Sequence, residues 1–327
     1  TRCRSLTNAR SFGLFEDQRT LPYSQAPMRD RRLTEKRNPN SSRIDDLDAL
    51  GIVDLINTED RQVAEAVGVE REKIALALEF TEAAFRAGGR LIYVGAGTSG
   101  RLGVLDAAEM PPTYRTDPGM VRGVIAGGYD ALIRSQEGAE DFPEDGAVAM
   151  DNLEVSTKDF VLGIATSGTT PYVHGALGRA RELGSKTGFL LCTQPPTELL
   201  EAHDVVIAPL VGPEVITGST RMKAGTATKL VLNTITTGAM VRLGKVYGNL
   251  MVDLQVTCEK LRDRGCRILE TVLELGRDEA QDLLERAGGH VKTAFVMGRL
   301  GVDMPEALRR LDEAGGVISQ VFGDLER

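Results

Sequence analysis

Five short apolar runs constrain the fold of this chain more than any other feature of its sequence. Each run is a few residues long, mostly apolar, and followed within two residues by Gly, Ser, Thr or Pro. Strands of a parallel sheet have this character because helices bury both of their faces. Helical stretches separate the runs, so the sequence predicts an α/β fold with a doubly wound, five-stranded parallel sheet. The predicted strands are Leu91–Val94, Val121–Ala126, Phe160–Ala165, Thr187–Cys192 and Val205–Leu210.

The pattern changes on both sides of this alternating region. A helical pattern precedes the first strand from Ile52 to Arg86, and another follows the fifth strand from Thr217 to Leu243. Beyond Cys266 the strand pattern disappears, and Asp, Pro and Gly-Gly pairs separate short helices. We therefore predict a main domain over residues 34–265 and a small helical domain over residues 266–327. Residues 1–33 are expected to form a basic, disordered extension, since the first forty residues carry nine basic and four acidic side chains.

Composition excludes several classes of partner. The chain of 327 residues has a formal net charge of −8 at pH 7, so nucleic acid is not an expected partner. No apolar run approaches the ~20 residues that a membrane helix needs, so no membrane partner is expected either. The four cysteines show no CxxC spacing and no close Cys/His cluster suits zinc. We expect reduced thiols, a cytoplasmic location, and neither a metal nor another cofactor.

Three turns rich in Gly, Ser and Thr follow the first, third and fifth predicted strands. The first, Gly95–Arg101, is formally a GxGxxG sequence, but the acidic residue that a dinucleotide site needs about twenty positions later is missing. Hydroxyls and backbone N–H groups at a helix N-terminus suit a phosphate monoester. Because the carboxyl ends of parallel strands face one crevice, the turns predict a sugar-phosphate site there. Its predicted members are Gly97, Thr98, Ser99, Gly100 and Arg101 in the first turn, Thr166, Ser167, Gly168 and Thr169 in the second, and Ser219 and Arg221 in the third.

Two Ser/Gly turns after parallel strands resemble the sugar isomerase (SIS) domain, and longer stretches make the resemblance more specific. From about Thr34 to the C-terminus the chain resembles the N-acetylmuramic acid 6-phosphate etherase family. The stretches that carry this resemblance are Thr34–Asn40, Val94–Gly103, Asp106–Tyr114, Glu137–Asp141, Gly218–Ala227 and Gly248–Asp253.

The resemblance implies a function in amino sugar metabolism. It implies that the main domain is an SIS domain and that the chain is a lyase acting on N-acetylmuramic acid 6-phosphate. Such an enzyme cleaves the D-lactyl ether by elimination between C2 and C3 followed by addition of water, which gives N-acetylglucosamine 6-phosphate and D-lactate. The resemblance also implies a homodimer and a part in recycling peptidoglycan sugars.

The same resemblance implies two catalytic carboxylates. An elimination of this kind needs one group that removes the C2 proton and another that donates a proton to the ether oxygen on C3. The family pattern makes Glu109 the proton donor and Glu140 the base, and the two residues are 31 positions apart. Spacing alone favours another interpretation, in which Glu140 belongs to a solvated acidic helix face shared with Glu137 and Asp141.

Two further expectations concern the surroundings of these carboxylates. Pro111 and Pro112 are expected to end the helix directly after Glu109 and so to fix that carboxylate near the crevice. Glu214, just before the third turn, is expected to bind the substrate, through the sugar hydroxyls.

Three other functions compete with the etherase. A sugar-phosphate isomerase on the same domain needs no acid at C3, so the stretch around Glu109 argues against it. A non-catalytic sugar-phosphate-binding regulator of the glucokinase regulatory protein type has a duplicated sheet domain, whereas this chain has room for one copy. An NAD-dependent oxidoreductase lacks its ribose-binding carboxylate here. The etherase is therefore the function that the sequence favours.

Overall fold

A five-stranded parallel β-sheet lies at the centre of the computed structural model, which describes residues 32–254, 256 and 258–323. The strand order is β2-β1-β3-β4-β5 and every neighbouring pair is parallel. The predicted doubly wound sheet is therefore confirmed. The strands are β1 (Leu91–Gly95), β2 (Val121–Ile125), β3 (Phe160–Ile164), β4 (Lys186–Leu190) and β5 (Val205–Ile207).

Helices cover both faces of the sheet. On one face, Leu91 and Tyr93 of β1 pack in a cluster with residues of the helices Arg71–Arg86, Gly97–Tyr114 and Lys223–Arg242. On the other face, Ile92 and Val94 pack against the sixth and seventh helices. The predicted helical stretch before β1 consists of three helices. The helices of this part are α1 (Ala49–Asp60), α2 (Gln62–Val69), α3 (Arg71–Arg86), α4 (Gly97–Tyr114), α5 (Asp130–Ile133), α6 (Pro143–Asn152), α7 (Pro171–Glu182), α8 (Thr197–Ala202) and α9 (Lys223–Arg242).

The C-terminal part is helical, as predicted, and has its own hydrophobic cluster. This cluster includes Val252 and Leu254, which precede the predicted boundary between residues 265 and 266. The first helix of the C-terminal part, Glu259–Leu273, continues across that boundary. The division into domains stays a prediction, and residues 1–31 of the predicted extension lie outside the described residues. The helices are α10 (Glu259–Leu273), α11 (Arg277–Arg286), α12 (Val291–Leu300), α13 (Met304–Glu313) and α14 (Ile318–Phe322).

Two glycines allow α6 and α7 to pack with their backbones almost in contact. A Cβ atom on Gly175 of α7 would lie 1.8 Å from the carbonyl oxygen of Pro143, and one on Gly146 of α6 would lie 2.0 Å from that of Tyr172. Neither backbone oxygen can move away without shifting a helix. This close packing matters for the site because Glu140 precedes α6 and the second turn precedes α7.

Gly175→Ala is expected to lower the free energy of unfolding by about 1–3 kcal/mol, because the added methyl group collides with backbone atoms. Gly178→Ala on the same helix is the matched control, since its added methyl group would meet nothing within 4 Å. The control should be neutral or gain up to about 1 kcal/mol from its higher helix propensity. Urea unfolding followed by circular dichroism measures both. Equal stabilities of the two variants would contradict the close helix packing.

Candidate active site

The candidate site lies where the chain reverses its direction of travel across the sheet. β1 is followed by α4 and β2 on one side, whereas β3 is followed by α7 and β4 on the other. The loops that leave neighbouring strands in opposite directions open a crevice at the carboxyl edge of the sheet, where ligands of such folds bind. The first predicted turn follows β1 and the second follows β3, so both border this crevice.

The first turn is shaped by glycines that bring α4 close to the sheet. A Cβ atom on Gly95 would lie 2.7 Å from the backbone nitrogen of Gly100, and one on Gly100 would lie 2.6 Å from Cγ1 of Ile125. α4 begins at Gly97, which is exposed and has a φ of 50°. The first helical turn of α4 carries no acidic residue. The unpaired backbone N–H groups at this end of the helix therefore present its positive end to the crevice.

The other two turns lie around the same crevice. A Cβ atom on Gly225 would lie 3.6 Å from Cγ2 of Thr98 and 3.5 Å from the carbonyl oxygen of Thr220, so the third turn adjoins the first. In the second turn, Oγ of Ser167 lies 3.0 Å from Oγ1 of Thr169. The Nε2–H of His174 donates to the carbonyl oxygen of Gly168 at 2.9 Å and holds this turn against α7.

Glu140 lies beside the first turn. A cavity of about 280 Å³ is lined by Gly97, Arg101, Glu137 and Glu140 together with neighbouring small residues. The carbonyl oxygen of Glu140 accepts from the backbone N–H of Tyr172 at 3.0 Å, which ties this segment to the beginning of α7. The helical acidic face considered for this stretch is absent, because residues 137–140 form turns and are not part of a helix. Glu140 is exposed and is one of the residues that line this cavity.

Glu109 is not brought to this cavity. α4 runs antiparallel to β1: Gly100 packs near Gly95, Gly103 packs against Tyr93, and Asp106 accepts from the hydroxyl of Tyr93 at 2.9 Å. Glu109 follows Gly97 by twelve residues, which is about 18 Å of helix. Its exposed side chain thus lies toward the amino ends of the strands, and one chain does not bring it together with Glu140.

The prediction that α4 ends directly after Glu109 is wrong, because the helix continues through both prolines to Tyr114. Pro111 and Pro112 cannot donate to the carbonyl groups four residues before them. A backbone N–H group after the prolines still donates to the carbonyl group four residues before it, since the N–H of Arg115 donates to the carbonyl oxygen of Pro111 at 2.9 Å. Arg115 then ends the helix with a φ of 54°.

Glu214 has a structural role at the beginning of α9. Its side chain is buried, and its two carboxylate oxygens accept from the backbone N–H groups of Lys223 and Ala224 at 3.0 and 2.9 Å. Burial raises the pKa of Glu214, although the bonds from these N–H groups and the charge of Lys223 act against the rise. A contact between Glu214 and the substrate stays a prediction, and both of its oxygens already serve as caps of the helix.

The cations near the turns differ in how they are held. Nε of Arg101 donates to the carbonyl oxygen of Leu132 at 3.2 Å, while Arg221 is exposed next to Ser219. Lys223 is fully buried, and its Nζ lies 2.7 Å from Oε2 of Glu59. Within the described part of the chain, no group of three or more His, Cys, Asp and Glu side chains is placed to hold a metal ion.

The sequence interpretation assigned no role to residues 32–41, although they border the site. We call this segment the strap. Three of its polar side chains, Thr34, Asn38 and Ser41, are buried. One sequence feature pointed to this segment, namely the resemblance of Thr34–Asn40 to the family. Because the stretch is polar, it has no apolar periodicity from which its position in the fold could be predicted.

Comparisons with known proteins match parts of this chain. Residues 73–181 match the family described as the glucokinase regulatory protein N-terminal SIS domain. Among solved structures, a phosphoheptose isomerase from Francisella tularensis has a TM-score of 0.48 and 17% identity, covering 59% of this chain and 98% of that chain.

Curated relatives match almost the whole chain. The N-acetylmuramic acid 6-phosphate etherase of Gloeobacter violaceus is 54% identical over 292 residues, which are 89% of this chain and 95% of that protein. The enzyme of the same name from Salinibacter ruber is 56% identical over 87% of this chain and 92% of its own length. That of Synechocystis is 49% identical over 92% of this chain and 99% of its own length. The chain therefore belongs to the N-acetylmuramic acid 6-phosphate etherase family.

Proposed function

We propose that this protein is a lyase that cleaves the D-lactyl ether of N-acetylmuramic acid 6-phosphate. The observation that carries the proposal is its similarity, over nearly the whole length, to curated etherases. The crevice supports it, because the helix end at Gly97 suits a phosphate and Glu140 is one of the residues that line the adjoining cavity. We infer that the hydroxyl-rich turns around the crevice bind the sugar phosphate.

The reaction requires proton transfers at two neighbouring carbons. In the open-chain sugar, a base removes the C2 proton, and the resulting electron pair forms the C2–C3 double bond as the C3–O bond breaks. An acid donates a proton to the departing ether oxygen, so the leaving group is lactate. Water then adds its oxygen to C3 and a proton returns to C2, which gives N-acetylglucosamine 6-phosphate. We assign the base to Glu140 and the acid to Glu109.

The separation of the two carboxylates within one chain leads us to propose a homodimer with a shared site. The outward face of α4 carries Leu105, Ala108, Glu109 and Pro112, all of them exposed. Twofold pairing along this face would bring the far end of one α4 to the beginning of the other. Glu109 of a second copy would then reach the crevice. The apolar face of α9 packs on its own sheet through Val231 and Ile235 and so is not available for this pairing.

We also propose that the enzyme acts in the cytoplasm. Sugar phosphates are charged and are retained inside cells, and the substrate class of its relatives fits this compartment. The described cysteines, Cys192, Cys258 and Cys266, are free thiols. No helix among the described residues is long and apolar enough to cross a membrane.

The proposed function is tested by incubating the purified protein with N-acetylmuramic acid 6-phosphate in heavy-oxygen water and analysing the products by mass spectrometry. Release of lactate without heavy oxygen, together with one heavy oxygen at C3 of the sugar product, is the expected result. Binding of the substrate without any lactate release would overturn the lyase and favour the non-catalytic regulator.

A further inference from the structure

The strap crosses the carboxyl ends of three neighbouring strands. Nη1 of Arg32 donates to Oγ1 of Thr169 in the second turn at 3.1 Å. The backbone N–H of Leu33 donates to Oγ1 of Thr193, just after β4, at 3.1 Å. The backbone N–H of Gly218 in the third turn donates to the carbonyl oxygen of Thr34 at 3.2 Å. The strap therefore joins the second turn to the third.

A polar network in which Asn38, Glu59 and Lys223 are buried holds the strap in this position. Glu59 accepts from Nδ2 of Asn38 at 2.7 Å and from Nδ2 of Asn40 at 2.8 Å. Nζ of Lys223, at the beginning of α9, lies 2.7 Å from the same carboxylate. Burial acts to raise the pKa of Glu59, but bonds from Asn40, Lys223 and Asn38 outweigh it and lower the pKa. A buried network whose members are all satisfied is rigid.

Two further bonds fix the strap to the loop after β5. Nδ2 of Asn38 donates to the carbonyl oxygen of Pro213 at 3.1 Å, and Oγ of Ser41 donates to that of Val215 at 2.7 Å. The strap is thus anchored at its C-terminal end to the elements that also carry the third turn. Its N-terminal end at Arg32 is directed at the second turn by the bond to Thr169.

We propose that Arg32 binds the phosphate group of the substrate as a specificity residue that is presented by the strap. The inference rests on the proposed function for the identity of the substrate. A dianionic phosphate needs a local cation in a chain of net charge −8. The fork of donors on Arg32 suits a phosphate and lies at a turn rich in hydroxyls.

The test compares Arg32→Gln with wild type in steady-state kinetics with N-acetylmuramic acid 6-phosphate. We expect KM to rise about 10- to 100-fold, the scale of one charge-assisted hydrogen bond, while kcat changes less than about 3-fold. The inhibition constant of inorganic phosphate, used as a competitive probe, should rise in parallel. Arg43→Gln is the matched control, because Arg43 is an exposed arginine just after the strap that pairs with Asp46. Its KM should stay at the wild-type value.

A second variant tests the anchoring. Asn38→Ala removes the bonds to Glu59 and Pro213, so the strap should no longer present Arg32 and KM should rise as in Arg32→Gln. The double variant should then be no worse than the single variants, since the two changes remove one interaction. If Asn38→Ala does not fold, as judged by its thermal unfolding, Arg32→Gln alone decides.

Unchanged KM and unchanged phosphate inhibition in Arg32→Gln would overturn the assignment, as would an equal effect in Arg43→Gln. Either result would leave the lyase intact, because wild-type turnover is measured in the same assay. If wild type releases no lactate, the proposed function fails instead. Binding of inorganic phosphate to wild type and to Arg32→Gln, followed by calorimetry, then still decides the role of Arg32.

Discussion

Glu140→Gln is expected to retain substrate binding while kcat falls by about 10²- to 10⁴-fold, the usual contribution of a general base. The amide keeps the size of the side chain but cannot accept the C2 proton. The surrounding structure should be preserved, since Glu140 is held through its backbone carbonyl oxygen, which accepts from Tyr172. Lactate release under saturating substrate measures kcat, and calorimetry with the inactive variant measures binding.

Glu144→Gln is the matched control for this substitution. Glu144 is an exposed carboxylate in the first turn of α6, four residues beyond Glu140, and does not line the cavity. Its turnover should remain within about 2-fold of wild type, as is usual for exposed surface positions. If Glu140→Gln retained wild-type turnover, the assignment of Glu140 as the base would be wrong.

Glu109→Gln should lower kcat by at least about 10²-fold, because the leaving lactate then lacks its proton donor. The more specific expectation concerns mixed dimers. If each site combines Glu140 of one copy with Glu109 of the other, a dimer of Glu109→Gln and Glu140→Gln contains one site with both carboxylates intact. An equal mixture that exchanges subunits freely should therefore recover about a quarter of wild-type activity, from two almost inactive proteins.

Light scattering first establishes that the protein is a dimer, and differently tagged subunits establish that mixed dimers have formed. Each variant mixed with itself is the control and should show no recovery. Mixed dimers without recovered activity would show that the two carboxylates act within one copy or that Glu109 is not the acid. A fully active monomer would exclude the shared site altogether.

The sheet could be predicted because its strands are buried on both faces and therefore stand out as apolar runs. The strand ends were less predictable, and β5 illustrates why. The predicted strand Val205–Leu210 ends at Ile207, because the backbone N–H of Ala208 donates to the carboxylate of Glu70 at 3.0 Å. Glu70 is distant from Ala208 in the sequence, so no local sequence pattern indicates this hydrogen bond.

The parts of the site that depend on distant contacts could not be predicted. A turn after a strand is local, so the first and second turns were found from Gly, Ser and Thr alone. The position of Glu109 depends on the length and direction of α4. The two prolines predicted that the helix ends after Glu109, but backbone hydrogen bonds after the prolines continue it to Tyr114. The cap formed by Glu214 and the anchoring of the strap arise from side chains that meet only in the folded chain.

The strap has a consequence for the order in which the protein becomes functional during synthesis. Its bond to the second turn joins residues 137 positions apart, Arg32 and Thr169, and its bond to the third turn joins residues 184 positions apart, Thr34 and Gly218. Closing such long loops is slow compared with forming a strand and the helix beside it. The strap, although synthesised early, must therefore wait for α9 before it can be fixed in place. A nascent chain shorter than about 225 residues cannot form the complete anchor, since Lys223 is part of it.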